Sequence, residues 1–175
     1  MEAERALAGI YADSIRLLML TGARRREIAH LAWSEVDLDR GHIKLPHSRS
    51  KTGEKTIPLG SHAAAILAAR LRKGRYVFPS ARYPDRPAQE LQKAWQKVRA
   101  KADLPDVRLH DLRHSYASFA IADGASLSLI GKALGHSQIS TTQRYAHLGD
   151  DPVKQLAERV GAKIMGGRSQ TERDA

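Results

Sequence analysis

Apolar residues recur at helical spacing along most of the chain, and this spacing predicts a largely helical protein. The first helix illustrates the pattern, with Leu7, Ile10, Leu17 and Leu18 among its apolar positions. The predicted helices cover residues 3–20, 25–33, 61–72, 88–102, 109–122, 126–134, a segment that carries Tyr145, and 152–165. Ser61 is the expected N-cap of the third, and Gly135 is expected just after the end of the 126–134 helix.

Short β-prone runs interrupt the helical pattern in the first half of the chain. HIKLP (42–46) and EKTIPL (54–59) flank a polar SRSKTG stretch, which predicts a β-hairpin, and YVF (76–78) is the expected third strand. WSEVDLDRG before them is predicted to be a turn. The pattern therefore favours a mostly α (α+β) domain with one small three-stranded antiparallel sheet. We expect one domain over 1–165 and a polar, disordered tail over 166–175.

Composition narrows the choice of partner. The 175 residues are one domain's worth, and their net charge of +10 favours a polyanion, with nucleic acid ahead of a membrane. A merely soluble basic protein remains the alternative on charge alone. The chain has no cysteine, which excludes disulfides, thiolate nucleophiles and Cys-ligated zinc and fits a reduced cytoplasmic setting. No apolar run approaches the roughly 20 residues that span a bilayer.

Four segments concentrate unusual polar residues: TGARRRE (21–27), SKTG (50–53), HDLRH (110–114) and LGHSQISTTQRYAH (134–147). In this order they resemble the signature of the tyrosine site-specific recombinases, or phage integrases. That family shows T-G-x-R-x-x-E, a lysine on a β-hairpin, H-x-x-R on a helix, and G-H followed about nine residues later by a tyrosine. The matching positions are Arg24, Lys51, His110, Arg113, His136 and Tyr145.

The resemblance covers roughly residues 15–150 and implies the helical catalytic domain of a DNA breaking-rejoining enzyme. The implied activity is site-specific recombination of double-stranded DNA, as in integration or excision of a mobile element. It would proceed through a 3′-phosphotyrosine and need no metal, ATP or other cofactor. A homotetramer on DNA is implied, and the free chain is expected to be monomeric. We expect a cytoplasmic protein of bacterial or phage origin.

The residue types fit the chemistry that the resemblance implies. Two arginines can bind the non-bridging oxygens of a phosphodiester in bidentate fashion, and His136 would be a third donor. Tyr145 is the nucleophile, and its phenol, with an ordinary pKa of about 10, needs a base and nearby positive charge. His110 is the candidate base, and Lys51 is the candidate donor of a proton to the leaving 5′ oxygen.

Several alternatives remain open for individual residues. Lys44 and Lys55 compete with Lys51, although the S-K-T-G register favours Lys51, and Tyr116 is the nearest rival of the predicted nucleophile. Glu27 is expected to hold an arginine or the local helix.

Other functions remain open as well. His110 and His114 have the i,i+4 spacing of a zinc pair, so a metal hydrolase is a minor alternative. A type IB topoisomerase-like relaxing activity and a DNA-binding module without activity are the others.

Members of the family usually carry an N-terminal helical domain that contacts the other face of the DNA. The 175 residues leave no room for it, so we expect a catalytic fragment. The amphipathic segment 152–165 is expected to pack either on its own domain or on a neighbouring protomer.

Overall fold

Six helices and a three-stranded sheet make up the part of the chain that the structure describes. This computed structural model describes residues 2–50, 53–80, 83–135, 157–158 and 160–162. The helices are α1 (Glu2–Thr21), α2 (Arg25–Ala29), α3 (Ser61–Ala68), α4 (Leu91–Lys101), α5 (Asp111–Ala122) and α6 (Leu127–Leu134). The strands are β1 (Val36–Asp37), β2 (His42–Leu45) and β3 (Lys55–Pro58). Residues 157–158 and 160–162 are helical, as predicted for that segment.

The sheet has the order β1-β2-β3, and both neighbouring pairs are antiparallel. The predicted hairpin is present, with Ile43 opposite Ile57 and Leu45 opposite Lys55. These four side chains alternate with exposed neighbours and all face the core, so the sheet packs its inner face against the helices. The prediction of a mostly helical domain with a small three-stranded antiparallel sheet is confirmed.

The identity of the third strand was predicted wrongly. It is Val36–Asp37, inside the segment expected to be only a turn, whereas the run 76–78 contributes a single bridge between Tyr76 and Ala32. Two residues are too few to show alternation in the sequence. Val77 and Phe78 owe their apolar character to burial in the core, where Val77 N donates to the Leu31 carbonyl oxygen at 2.9 Å.

Several helix limits also differ from the predictions: α3 ends at Ala68 rather than 72, and α4 begins at Leu91 rather than 88. α3 has Gly60 as its N-cap, and Ser61 is its first helical residue, without a capping hydrogen bond. α2 stops at Ala29, short of the predicted residue 33, because the chain turns there into a short 3-10 segment at Trp33–Glu35. The predicted end of α6 is correct: Gly135 adopts a left-handed conformation, with φ 66°.

The core consists of a large cluster and a smaller one. The large cluster joins α1, α2, the sheet, α3, α4 and the start of α5, with Phe78, Leu17 and Leu31 fully buried. The smaller cluster lies between α5 and α6 and contains Ala117, Ile130 and Leu134. α6 therefore packs on α5 through a cluster of its own, and polar contacts at its C-terminal end also join it to the main body.

Some predictions fall outside the described residues. These are the segment that carries Tyr145, most of the last helix, the tail from 166 onward and the domain limit at 165. Within the described residues, no helix combines the length and the apolar character needed to cross a membrane.

Gly22 should tolerate no side chain. Its φ is 61°, and a Cβ there would lie 2.6 Å from Leu134 Cδ2 and 2.8 Å from Tyr116 Cδ1. Gly74 has a comparable φ of 88° with nothing within 4 Å of its Cβ position, so it serves as a matched control. We expect Gly22→Ala to lower the free energy of unfolding by about 1–3 kcal/mol more than Gly74→Ala, through overpacking. Chemical denaturation of both variants tests this, and equal losses would contradict it.

Candidate active site

Arg113 is a buried arginine on α5 whose guanidinium group binds two distant stretches of main chain. Its Nη1 donates to the Gly22 carbonyl oxygen at 2.6 Å, and its Nη2 donates to the Leu134 carbonyl oxygen at 2.8 Å. The residue is only 5% exposed. Since a buried charge is costly unless it is hydrogen-bonded, these contacts fix the guanidinium firmly at the junction of the α1–α2 turn, α5 and α6.

Arg24 lies at the same junction, immediately before α2. Its Nη2 lies 3.4 Å from the carbonyl oxygen of Gly135, the residue after Leu134. Its Nη1 donates to Glu27 Oε1 at 3.0 Å, and its backbone N donates to Glu27 Oε2 at 2.7 Å. The two arginines therefore bind consecutive carbonyls, and Glu27 holds Arg24, as expected from the sequence.

Glu27 also binds Lys55, which projects from β3 into the same buried region. Lys55 Nζ donates to Glu27 Oε2 at 2.8 Å, and both side chains are under 5% exposed. Burial raises the pKa of Glu27, but its attraction to Lys55 and the hydrogen bonds from Lys55 and Arg24 outweigh this, so the pKa lies below its ordinary value. Burial lowers the pKa of Lys55, and only its pairing with Glu27 opposes that effect. Glu27 is thus a buried carboxylate bound by two cations.

His110 occupies the N-cap position of α5, one turn before Arg113. Partial burial lowers its pKa, and the neighbouring His114 and Arg113 lower it further. A neutral imidazole is therefore favoured at neutral pH, which is the form that accepts a proton. The imidazole rings of His110 and His114 meet edge to face with centroids 5.1 Å apart.

The segment that connects β2 to β3 is attached to α2 by Arg49. Its Nη2 donates to the Glu27 carbonyl oxygen at 3.1 Å, and its Nη1 donates to the His30 carbonyl oxygen. These oxygens lie at the C-terminal end of α2, where carbonyls lack helical partners. These contacts anchor the β2–β3 connection, whose sequence includes Lys51, next to α2. Arg24 lies immediately before α2.

The described residues thus bring together three of the six predicted site residues: Arg24, His110 and Arg113. Lys51, His136 and Tyr145 lie outside the described residues. Two residues of the site have roles that the sequence did not predict. Lys55 was expected only as a rival proton donor, and the contact of Arg49 with α2 was not expected. Alternation along β3 could have revealed Lys55, because it shares the face of Ile57 and that face is buried.

Cationic side chains outnumber carboxylates among the described residues at this junction. Arg24 and Lys55 both bind Glu27, and Arg113 binds the carbonyl next to the one that Arg24 contacts. Arg24 is the most accessible of them, with 30% of its side chain exposed. A partly open site with excess positive charge from arginines suits an oxyanion such as a phosphodiester.

A metal site has less support from the described residues. Among them, no three or more His, Cys, Asp or Glu side chains are grouped so that they could hold a metal ion. Asp111, which would stand at the glutamate position of a zinc-protease motif, instead accepts hydrogen bonds from the Arg108 side chain at 3.0 and 3.3 Å.

Comparison with known proteins places the chain in a family. Residues 3–151 match the family described as the phage integrase family. The chain belongs to this family. Tyrosine recombinase XerD of Haemophilus influenzae is 30% identical over 157 residues, which cover 83% of this chain and 52% of XerD. The chain therefore spans about half the length of the curated relatives that it matches.

Solved structures agree on the fold of this family member. The catalytic domain of bacteriophage HP1 integrase is 26% identical with a TM-score of 0.61, and the match covers 89% of this chain and 91% of that domain. XerH site-specific recombinase is 21% identical with a TM-score of 0.65, over 83% of this chain and 48% of XerH, which supports the fold alone. The sequence-based assignment to the family is confirmed.

The Glu27–Lys55 pair should make stability depend on pH. Because the pKa of Glu27 is lowered on folding, its contribution is present above its ordinary value of 4.5 and is lost as pH falls through the folded-state pKa. We expect Glu27→Gln to lower the free energy of unfolding by about 3–5 kcal/mol at pH 7, since it leaves a buried cation unpaired. The difference from wild type should shrink in acid.

Denaturant unfolding at several pH values measures this, with Glu54→Gln as the control. Glu54 pairs with Lys44, both side chains are 60% exposed, and the change should cost under about 1 kcal/mol at any pH. A loss for Glu27→Gln that does not vary between neutral and acidic pH would contradict the assignment.

Proposed function

We propose that this chain is the catalytic domain of a site-specific DNA recombinase that cleaves and rejoins strands through a 3′-phosphotyrosine. The observation that carries the proposal is the convergence of Arg24 and Arg113 on the consecutive carbonyls of Gly135 and Leu134. Two rigidly held guanidinium groups, from distant parts of the sequence, supply donors for two non-bridging oxygens of one phosphate. Each donor directed at charge that develops in the transition state is typically worth about 3–4 kcal/mol.

The first chemical step is an in-line displacement at phosphorus. Tyr145 Oη forms a bond to the phosphorus atom while the bond from phosphorus to the 5′ oxygen breaks. His110 accepts the phenolic proton, and Lys51 donates a proton to the departing 5′ oxygen. The products are a 3′-phosphotyrosine and a free 5′-hydroxyl, and attack by the 5′-hydroxyl of another strand reverses the step. The number of ester bonds is unchanged, so no energy source is consumed.

Chain connectivity supports the roles of the residues outside the described part. Lys51 follows Ser50 in the β2–β3 connection, which Arg49 anchors to α2. His136 is joined by one peptide bond to Gly135, whose carbonyl oxygen accepts from Arg24. Lys51 therefore directly follows the segment that Arg49 holds, and His136 directly follows the residue whose carbonyl oxygen contacts Arg24. Family membership supports Tyr145 as the nucleophile, since residues 3–151 match the family and include it.

The proposed partner is double-stranded DNA, on which we propose that the protein forms a tetramer, with integration or excision of a mobile element as its role. The net charge of +10 supports a polyanionic partner. Among the structural neighbours, XerH was solved bound to difH substrate, and the Tn1549 transposon integrase was solved with transposon DNA. Such chemistry belongs where the cell keeps its DNA, which in bacteria is the cytoplasm.

Covalent capture on DNA tests the proposal. The protein is incubated in EDTA with a pool of nicked duplexes of randomised sequence. Cleavage near the nick releases a short oligonucleotide that carries the 5′-hydroxyl; it dissociates, and the covalent adduct accumulates. We expect SDS-resistant protein–DNA adducts that share a sequence after sequencing. Tyr145→Phe should abolish them because it removes the attacking oxygen, whereas the matched control Tyr116→Phe should retain them.

Other outcomes contradict the proposal in distinguishable ways. Adducts that survive Tyr145→Phe would exclude Tyr145 as the nucleophile, and cleavage that EDTA blocks would favour the metal hydrolase. Binding of the pool without any adduct would indicate a DNA-binding module. Adducts without a shared sequence, together with relaxation of supercoiled plasmid, would favour a topoisomerase.

A further inference from the structure

Lys55 is a charged residue at a position where a strand would ordinarily place an apolar one. It alternates with exposed Thr56 and faces the core together with Ile57. Its partner across the sheet is Leu45, which is fully buried. An apolar residue of similar volume in place of a buried ion pair is often equally or more stable, so stability alone gives little reason for a lysine here.

We propose that Lys55 is a positioning residue that acts through Glu27 to hold the guanidinium group of Arg24 toward the phosphate. The inference rests on the proposed function, because it concerns how that phosphate site is assembled. Lys55 differs in role from Lys51: its ammonium group is buried and bound to Glu27, so it is not the proton donor.

The hydrogen bonds of Glu27 explain how Lys55 reaches Arg24. Oε2 accepts from Lys55 Nζ at 2.8 Å and from the Arg24 backbone N at 2.7 Å. These two bonds fix the rotation of the carboxylate, and Oε1 is left facing Arg24 Nη1 at 3.0 Å. Without Lys55 the carboxylate could turn, and the direction of the Arg24 side chain would be set less firmly, by the long contact with the Gly135 carbonyl.

Lys55 also changes how strongly Glu27 neutralises Arg24. With both cations present, one negative charge is shared between two positive ones. If Lys55 were neutral, Glu27 would pair with Arg24 alone and draw its guanidinium group away from an incoming phosphate. The second cation therefore keeps Arg24 oriented without cancelling its charge.

Gly135 shows that the site is shaped around Lys55. A Cβ on Gly135 would lie 2.6 Å from Lys55 Cε and 2.9 Å from Cδ, closer than carbon atoms approach. Its left-handed φ of 66° accounts for a glycine at this helix end, and the contact with Lys55 is a second, independent reason. Since Arg24 lies 3.4 Å from the Gly135 carbonyl oxygen, the lysine stem, the glycine and the arginine pack as one unit.

Arginine side-chain NMR tests the positioning directly and needs no DNA. We expect Lys55→Met to change the Nε–Hε signal of Arg24 and to speed rotation of its guanidinium group. Arg113 is the internal control, because its Nη1 and Nη2 donate to the Gly22 and Leu134 carbonyls rather than to Glu27. Lys44→Met is the matched control, since Lys44 is exposed and pairs with Glu54. Unchanged Arg24 signals in folded Lys55→Met protein would overturn the proposal.

A double variant separates positioning from stability. Lys55→Met alone removes one of the two cations that bind the buried Glu27 and should destabilise the fold, whereas Glu27→Met with Lys55→Met replaces the ion pair by apolar groups and should restore stability. Because the whole link from Lys55 through Glu27 to Arg24 is then absent, we expect the double variant to keep a mobile Arg24 and to form DNA adducts about 100-fold more slowly than wild type, the cost typical of a misplaced catalytic group.

Recovery of the adduct rate together with stability would show that Lys55 is merely structural and would overturn the proposal. If wild-type protein forms no adduct, the proposed function fails, and the NMR result still decides the role of Lys55.

Discussion

The buried guanidinium group of Arg113 holds three segments of the chain in one place. It binds the carbonyl oxygens of Gly22, in the α1–α2 turn, and Leu134, at the end of α6, while α5 carries it. An arginine stays charged at any physiological pH, so its burial is tolerable only with such partners. If it were lost, both carbonyls would be left without this donor, and the ends of α1 and α6 would lose their common anchor.

This anchor determines what lies near the phosphate site. Arg24 follows Gly22 by two residues, and Gly135 follows Leu134 by one. Holding the Gly22 and Leu134 carbonyls in place therefore also places Arg24 and Gly135, which contact each other. α6 has a small apolar cluster of its own with α5, and its C-terminal end reaches the main body through polar contacts and the stem of Lys55. The site therefore lies at the boundary between the two apolar clusters. The large cluster makes it rigid, and the Arg24 side chain remains partly accessible.

Among the described residues, the sequence predicted the helices and the hairpin well because their apolar spacing is strong and local. It failed for β1, since two residues that pair with Ile43 and His42 carry no periodic signal of their own. The prediction of a strand at 76–78 was wrong, because a loop buried in the core requires the same apolar residue types as a buried strand. Val77 and Phe78 are such residues.

Predicting the site had a similar limit. Arg24 and Arg113 could be selected from the register of their motifs, but their meeting at consecutive carbonyls depends on how α6 packs, which no local pattern encodes. The ion pair between Glu27 and Lys55 joins residues 28 positions apart on different elements. Only the alternation along β3 could have indicated that Lys55 points inward, and the partner that stabilises it there is visible only in three dimensions.

The most direct measurement is the chemical identity of the link between protein and DNA. A captured adduct would be digested with nuclease and protease, and tandem mass spectrometry would locate the remaining nucleotide on the peptide. We expect a nucleotide attached through its 3′-phosphate to Tyr145, with a free 5′-hydroxyl on the released strand. A nucleotide on Tyr116 or any other residue, or a link through a 5′-phosphate, would contradict it.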